Sequence, residues 1–166
     1  QYLDIHPQHR DLVRGLGEYV HFWGRTNHSE ALRKLKEADY SVFFRPQTRQ
    51  NEAGFPGKYI EAVMAGVPVI TNSTSDIAAY QRDGVNGFVA AGCDTPAIRR
   101  VLARALALSP NEAAALRTMR DDKAFALERW RVPMRQFLEE LSPVIPVSQA
   151  LLDFRLVPLT KNRARS

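Results

Sequence analysis

The chain has 166 residues, 45% of them apolar and 25% charged, with a formal net charge of +5 and a sequence pI of about 9.7. That is ordinary globular composition, enough for one domain or the large part of one, and the positive balance admits phosphates or anionic lipid as partners without choosing between them. One cysteine, Cys93, excludes an internal disulfide and points to a reducing compartment, no apolar run approaches membrane-spanning length, and the first residues carry no signal-peptide pattern.

In chain order, Tyr2 to His6 reads as a short strand ended by Pro7, and Leu12, Val13 and Leu16 give Gln8 to Leu16 a helical spacing broken by Gly15 and Gly17. Tyr19 to Trp23 is aromatic and β-branched and is expected to be a strand stopped by Gly24. Asn27 with Glu30 predicts a helix N-cap and its reciprocal partner, with Ala31, Leu32, Leu35 and Ala38 on one stripe. Tyr40 to Phe44 is the next strand, and Gln47 to Asn51 an exposed polar loop.

The stretch Glu52 to Ile70 carries the densest signal. Gly54, Pro56 and Gly57 make a loop, with Pro56 expected at the first helical position. Lys58 to Ala65 form the helix, Gly66 fits a left-handed helix end, and Val67 to Ile70 is a buried strand. A glycine-rich turn feeding a helix N-terminus presents unpaired N–H groups and the positive end of the helix dipole, so it is a ready anion site. Lys58 adds a full charge at that mouth, and Glu61, one turn on, an acceptor pair suited to sugar hydroxyls.

Thr71 to Ser75 is a polar turn in which Ser73 or Ser75 caps a short helix. Asp83-Gly84 and Asn86-Gly87 are turn dipeptides leading to a last strand, Phe88 to Ala90. Asp94 caps a helix with Ile98, Val101, Leu102, Ala105 and Leu106 on one stripe, and Ser109 with Glu112 is a capping box. Helical pattern then persists to about Leu141, interrupted near Asp121-Asp122 and at Pro133. Beyond it, Pro143, Pro146 and Pro158 stud an apolar tail that ends in the basic run Lys161 to Arg165, either a packed arm or a frayed end.

Strands alternating with helices predict an α/β fold, a Rossmann-like parallel sheet with helices on both faces, followed by C-terminal helices and an irregular tail. Ligands of such sheets sit off the carboxyl ends of the strands, so Gly24 to Asn27, Arg45 to Pro56 and Thr71 to Ser75 are expected to converge on one crevice. The domain is placed at residues 1–141 and the arm or tail at 142–166.

Val20 to Leu108 resembles the donor-binding, C-terminal half of GT-B glycosyltransferases, in the large retaining group 1. The resemblance rests on an ordered set: a strand ending at Gly24, a helix ending in Ala38-Asp39, a strand ending near Pro46, the run Glu61-Ala62 to Ile70, and the turn Asp83 to Phe88. It implies a nucleotide-diphosphate sugar, with UDP or GDP as the nucleotide, as donor for transfer to a glycan, lipid or other acceptor. Glu61 matches the second glutamate of the family's paired motif, which accepts from the ribose. Backbone amides around Phe55, Gly57 and Lys58 would face the diphosphate or the sugar, with Gly54 shaping the turn, and Gly24 and Arg25 would lie against the base. The family spaces its glutamates by seven residues. Glu52 and Glu61 are separated by eight, and the usual position falls on Ala53. The Pro-Gly-Lys form resembles a variant of the motif in which a lysine follows proline, so Lys58 is a candidate phosphate contact.

The family's diphosphate-neutralising arginine and lysine belong to a first strand and helix with no counterpart ahead of Tyr2. The resemblance therefore implies a piece of a two-domain enzyme without its acceptor-binding N-terminal domain, with little activity alone. No catalytic base is assigned, and no cofactor or metal is expected: His6, His9, His21 and His28 show no ligand grouping. The expected setting is cytoplasmic, with contact between Lys161–Arg165 and anionic lipid at the inner membrane face as a minor reading. The alternative is a non-catalytic sugar-nucleotide or partner-binding module of the same fold. A dinucleotide-dependent enzyme is excluded because Gly15-Leu16-Gly17, the only Gly-x-Gly, precedes a strand instead of following one. Nucleic acid is excluded because the charges are spread and no aromatic-basic motif occurs.

Overall fold

The computed structural model describes residues 7–119 and 123–141. The expected strand at Tyr2–His6, the break at Asp121-Asp122 and the tail 142–166 with its basic end lie outside those residues. The chain groups into two compact units, Gln1–Asp121 and Asp122–Ser166.

The first unit is built on a parallel sheet of three strands, β1 (Ser41–Val42), β2 (Val69–Asn72) and β3 (Gly87–Ala90), in the order β1-β2-β3. Around it, in chain order, run α1 (Arg10–Gly15), α2 (His28–Glu37), α3 (Arg49–Ala53), α4 (Gly57–Ala65), α5 (Thr95–Leu106) and α6 (Pro110–Thr118). All four residues of β2 are buried, as a central parallel strand covered by helices requires. Ile70 and Phe88 pack with Val101 and Ala105 of α5 and Leu116 of α6, and Tyr40 closes this core while its hydroxyl donates to Ala105 O at 3.2 Å. Tyr59 and Ala62 of α4 are equally buried, and burial pushes the Tyr59 hydroxyl up to about 12.

Local signals explain the helix ends. Asn27 caps α2 by accepting from Glu30 N at 2.8 Å, Asp94 caps α5 through Ala97 N at 2.9 Å, and the Ser109–Glu112 box closes in both directions. Gly66 ends α4 at φ 79°, the left-handed stop expected there. Glu30 does not complete a reciprocal box with Asn27. Its carboxylate accepts from Arg33 Nε at 3.1 Å and Nη2 at 2.9 Å instead.

Several expectations are corrected. Tyr19–Trp23 is turn and irregular chain, not strand, with Tyr19 83% and Trp23 59% exposed. A strand needs a ladder partner, and β1, the edge of the described sheet, pairs only with β2. The aromatics find local contacts instead: the His21 ring lies tilted against Trp23 with centroids 4.2 Å apart, and Lys34 Nζ lies 2.9 Å from the Trp23 ring centre. Residues 47–51 are not all loop, because Thr48 caps the short helix α3 by accepting from Asn51 N. The strand expected at Val67–Ile70 starts later and runs on to Asn72, and Thr74, not Ser73 or Ser75, stands at the N-cap position of the 3₁₀ turn Ser75–Ala79, without a side-chain cap bond. Pro56 is the N-cap of α4 and Gly57 its first residue.

In the second unit, α7 (Leu127–Leu141) runs through Pro133 without the expected interruption, so the proline removes one donor without ending the helix. Trp130 Nε1 donates to Ala124 O at 3.3 Å.

The tightest approach in the sheet is at Gly87. A Cβ there would press on Val69 O and on Gln81 Nε2, the buried amide that donates to Val69 O at 2.7 Å and Phe88 O at 3.1 Å. Gly87→Ala should cost roughly 1–3 kcal/mol by overpacking, read as a lower denaturant midpoint at unchanged slope. A second expectation concerns acid. Hydrogen bonds from Arg33 hold the Glu30 carboxyl down to about 2, against 4.5 for the free group. A depressed carboxyl contributes stability at neutral pH that is lost as pH falls from about 4.5 through 2. Thermal unfolding of Glu30→Gln should therefore be less pH-dependent across that window than that of the parent chain.

Candidate functional site

The parallel arrangement puts three loops at one end of the sheet, and a cleft of about 420 Å³ opens at the carboxyl end of β1. One wall is the continuation of β1, residues 43–45. The other is the turn and first residues of α4, residues 55–58.

The α4 wall has the character of an anion site. Pro56 offers no side-chain cap, and the first turn holds no acidic residue. Tyr59 N is satisfied by Pro56 O at 3.0 Å, whereas the N–H groups of Gly57 and Lys58 have no partner among the described residues. They are left to a ligand or water, at the positive end of a helix that ends in a well-formed left-handed stop. Lys58 is exposed and forms no ion pair among the described residues.

Arg45 holds the opposite wall. Its backbone N donates to Asn72 Oδ1 and its carbonyl accepts from Asn72 Nδ2, both at 2.8 Å. Its guanidinium donates from Nη1 to Gly54 O at 2.7 Å and from Nη2 to Asn51 Oδ1 at 3.0 Å. Asn51 is anchored in turn by donating to Pro46 O. The loop between β1 and α4 is therefore folded back on the end of β1. Phe55 packs edge-on against Tyr59 at 5.7 Å and Tyr80 at 5.5 Å, which seats the turn on the helix below it.

The residues expected from sequence divide into two sets. Phe55, Gly57 and Lys58 line the cleft, and Gly54 shapes it by giving its carbonyl to Arg45. Glu61 stands beyond the lining, its side chain 46% exposed and Oε1 3.9 Å from His28 Nδ1. Glu52 accepts from Ser75 N at 2.9 Å, tying α3 to the loop after β2, where Ser75 takes φ 53°. Gly24, at φ 65°, and Arg25 are exposed in the loop ahead of α2 and do not line the cleft. Of the three expected loops, only Arg45 to Pro56 supplies lining residues, and the loop after β2 reaches it through Asn72 and Glu52.

Sequence reasoning did not assign Phe43, Phe44, Arg45 or Asn72 to the site. The available signal was position: Arg45 follows the strand directly, and Asn72 is a polar residue closing an apolar run.

A second cleft, of about 460 Å³, lies between β3 and α5. Asp83 there is already paired with Arg104 at 2.9 Å and accepts from Val89 N, and the nearby start of α5 is capped by the Asp94 carboxylate. It lacks the open helix terminus of the first cleft. Among the described residues no group of three or more His, Cys, Asp or Glu could hold a metal ion.

Comparison with known proteins bears on this arrangement. No curated protein matches the chain. Among solved structures, the sucrose-phosphate synthase from Thermosynechococcus elongatus is similar, with a TM-score of 0.60 and 23% identity over 82% of this chain. The chain spans 34% of that protein's length, and the likeness places its sheet and helices as one Rossmann-like half of a GT-B fold. The family model described as glycosyl transferases group 1 matches residues 4–107, well over half of the 166 residues. Fold and family model agree, and the chain belongs to the glycosyl transferases group 1 family.

Proposed function

We propose that the chain is the donor-binding part of a glycosyltransferase and holds a nucleotide-diphosphate sugar, with UDP or GDP as the nucleotide. The observation that carries this reading is the uncapped start of α4, where the Gly57 and Lys58 N–H groups and the Lys58 ammonium border one cleft at the carboxyl end of the sheet. A diphosphate satisfies all of them: its oxygens accept from the amides, the helix dipole favours its charge, and Lys58 reaches an outer oxygen. Glu61, on the next turn of α4 and beside His28, would accept from the ribose hydroxyls of a donor that extends beyond the cleft.

In the intact enzyme the chain would work with a separate acceptor-binding domain, the sugar passing from the diphosphate to a glycan, lipid or other acceptor with its anomeric configuration retained. Transfer would rest on holding donor and acceptor in line and on stabilising the negative charge that grows on the leaving diphosphate. The α4 terminus supplies the second of these without moving, because its amides are fixed in the fold. Family membership supports the reaction class, and the spread of charge over the diphosphate oxygens suits a site made of amides and one mobile cation.

Calorimetric titration of the chain with UDP, GDP and inorganic pyrophosphate tests the reading. Lys58→Ala should weaken all three by about tenfold, the loss of one charge-assisted contact worth about 1.4 kcal/mol. Glu61→Gln should weaken UDP and GDP while leaving pyrophosphate unchanged, because only the nucleotides bring hydroxyls. A wild-type chain that binds none of the three would overturn the proposal, and equal binding of UDP by Glu61→Gln would remove that residue from the site.

A further inference from the structure

Arg45 differs from the other arginines whose partners are described. Arg14, Arg33, Arg104 and Arg117 each lie within 4.0 Å of a carboxylate, on Asp11, on Glu30 or Glu37, on Asp83 and on Asp39 respectively. Among the described residues, the half-buried Arg45 guanidinium instead meets only neutral acceptors, Gly54 O and Asn51 Oδ1. Asp39 lies beside Arg117, and Glu52, the next acid after Arg45 in the chain, is turned away to Ser75 N. An arginine carries five N–H donors in a fixed fork, and two bonds leave others for the cleft that Arg45 lines. A full charge that is partly withdrawn from water and not neutralised by the protein is costly unless a counter-charge arrives.

We propose that Arg45 is a second cation of the anion site, contacting the diphosphate from the β1 wall while the α4 terminus and Lys58 contact it from the other. The proposal rests on the donor-binding reading above and adds a residue to it. Four hydrogen bonds hold Arg45: Asn72 pins its backbone, and Gly54 and Asn51 hold its head. A ligand therefore meets a pre-set charge and orders no long side chain on binding. The same bonds hold the turn that presents Gly57 and Lys58, so the two walls form one device facing one ligand.

The test uses inorganic pyrophosphate and UDP with the 166-residue chain, read by calorimetry at several salt concentrations alongside thermal unfolding. Arg45→Gln keeps a donor for Gly54 O and loses the charge. It should bind pyrophosphate about tenfold more weakly, with a shallower salt dependence. Arg45→Lys should recover part of that loss. Asn51→Ala leaves the charge and removes one brace, and should stay within about threefold of the parent. Pyrophosphate affinity unchanged in Arg45→Gln would overturn the proposal. So would equal losses in Arg45→Gln, Arg45→Lys and Asn51→Ala that track a drop in unfolding temperature, since they would make Arg45 a brace alone. Failure of the parent chain to bind either probe would overturn the donor-binding reading itself, a result distinct from both.

Discussion

One side chain sets the geometry on which the cleft depends. The ladder between β1 and β2 ends with Phe43 N donating to Ile70 O at 3.1 Å. The next exchange is made by a side chain, because the Asn72 amide takes the place of a backbone and satisfies both the N–H and the carbonyl of Arg45. Asn72 is only 2% exposed, so these bonds lie away from competing water, where an unmatched amide would be heavily penalised. The cleft opens beyond this point, between residues 43–45 and the start of α4.

The walls then differ in kind. The α4 side owes its character to an absence of local neutralisation: a proline at the cap, glycine first, and no acid in the opening turn. The same chain caps α5 with Asp94 and α6 with a Ser–Glu box, so an open helix start is a local choice and not a habit of the sequence. The acid of the adjoining helix α3, Glu52, is engaged elsewhere, with Ser75 N. The charged side chains that line the cleft, Arg45 on one wall and Lys58 on the other, are both positive.

Much of this was legible in the residues. The helix starts at Asn27, Asp94 and Ser109 and the stop at Gly66 are written in short-range chemistry, and each behaves as its residue type requires. The α4 terminus was legible for the same reason: two glycines and a proline ahead of an unbroken run admit few other structures. What could not be read depends on pairing over distance. Tyr19 to Trp23 has every intrinsic preference of a strand and forms none, because a strand is a relation between two segments and local preference reports on one. Arg45 and Asn72 stand 27 positions apart, and neither residue announces the other. The eight-residue spacing of Glu52 and Glu61 was legible as a departure, but its structural meaning was not: α3 forms and points Glu52 toward Ser75.

Gly87 has a consequence for how the sheet is assembled. It faces Val69 in the strand register, and only a residue without a side chain fits between Val69 O and the Gln81 amide. Sliding β3 one place along β2 would bring Phe88 to that gap, where a benzyl group has no room. The strand thus has a single resting position, keyed like a lock with one notch. Any error in it would also displace Asn72 and Ala90 from each other at the far end of the pair. The alignment at the carboxyl end of the strands is in this way decided at their opposite end, by one missing methyl group.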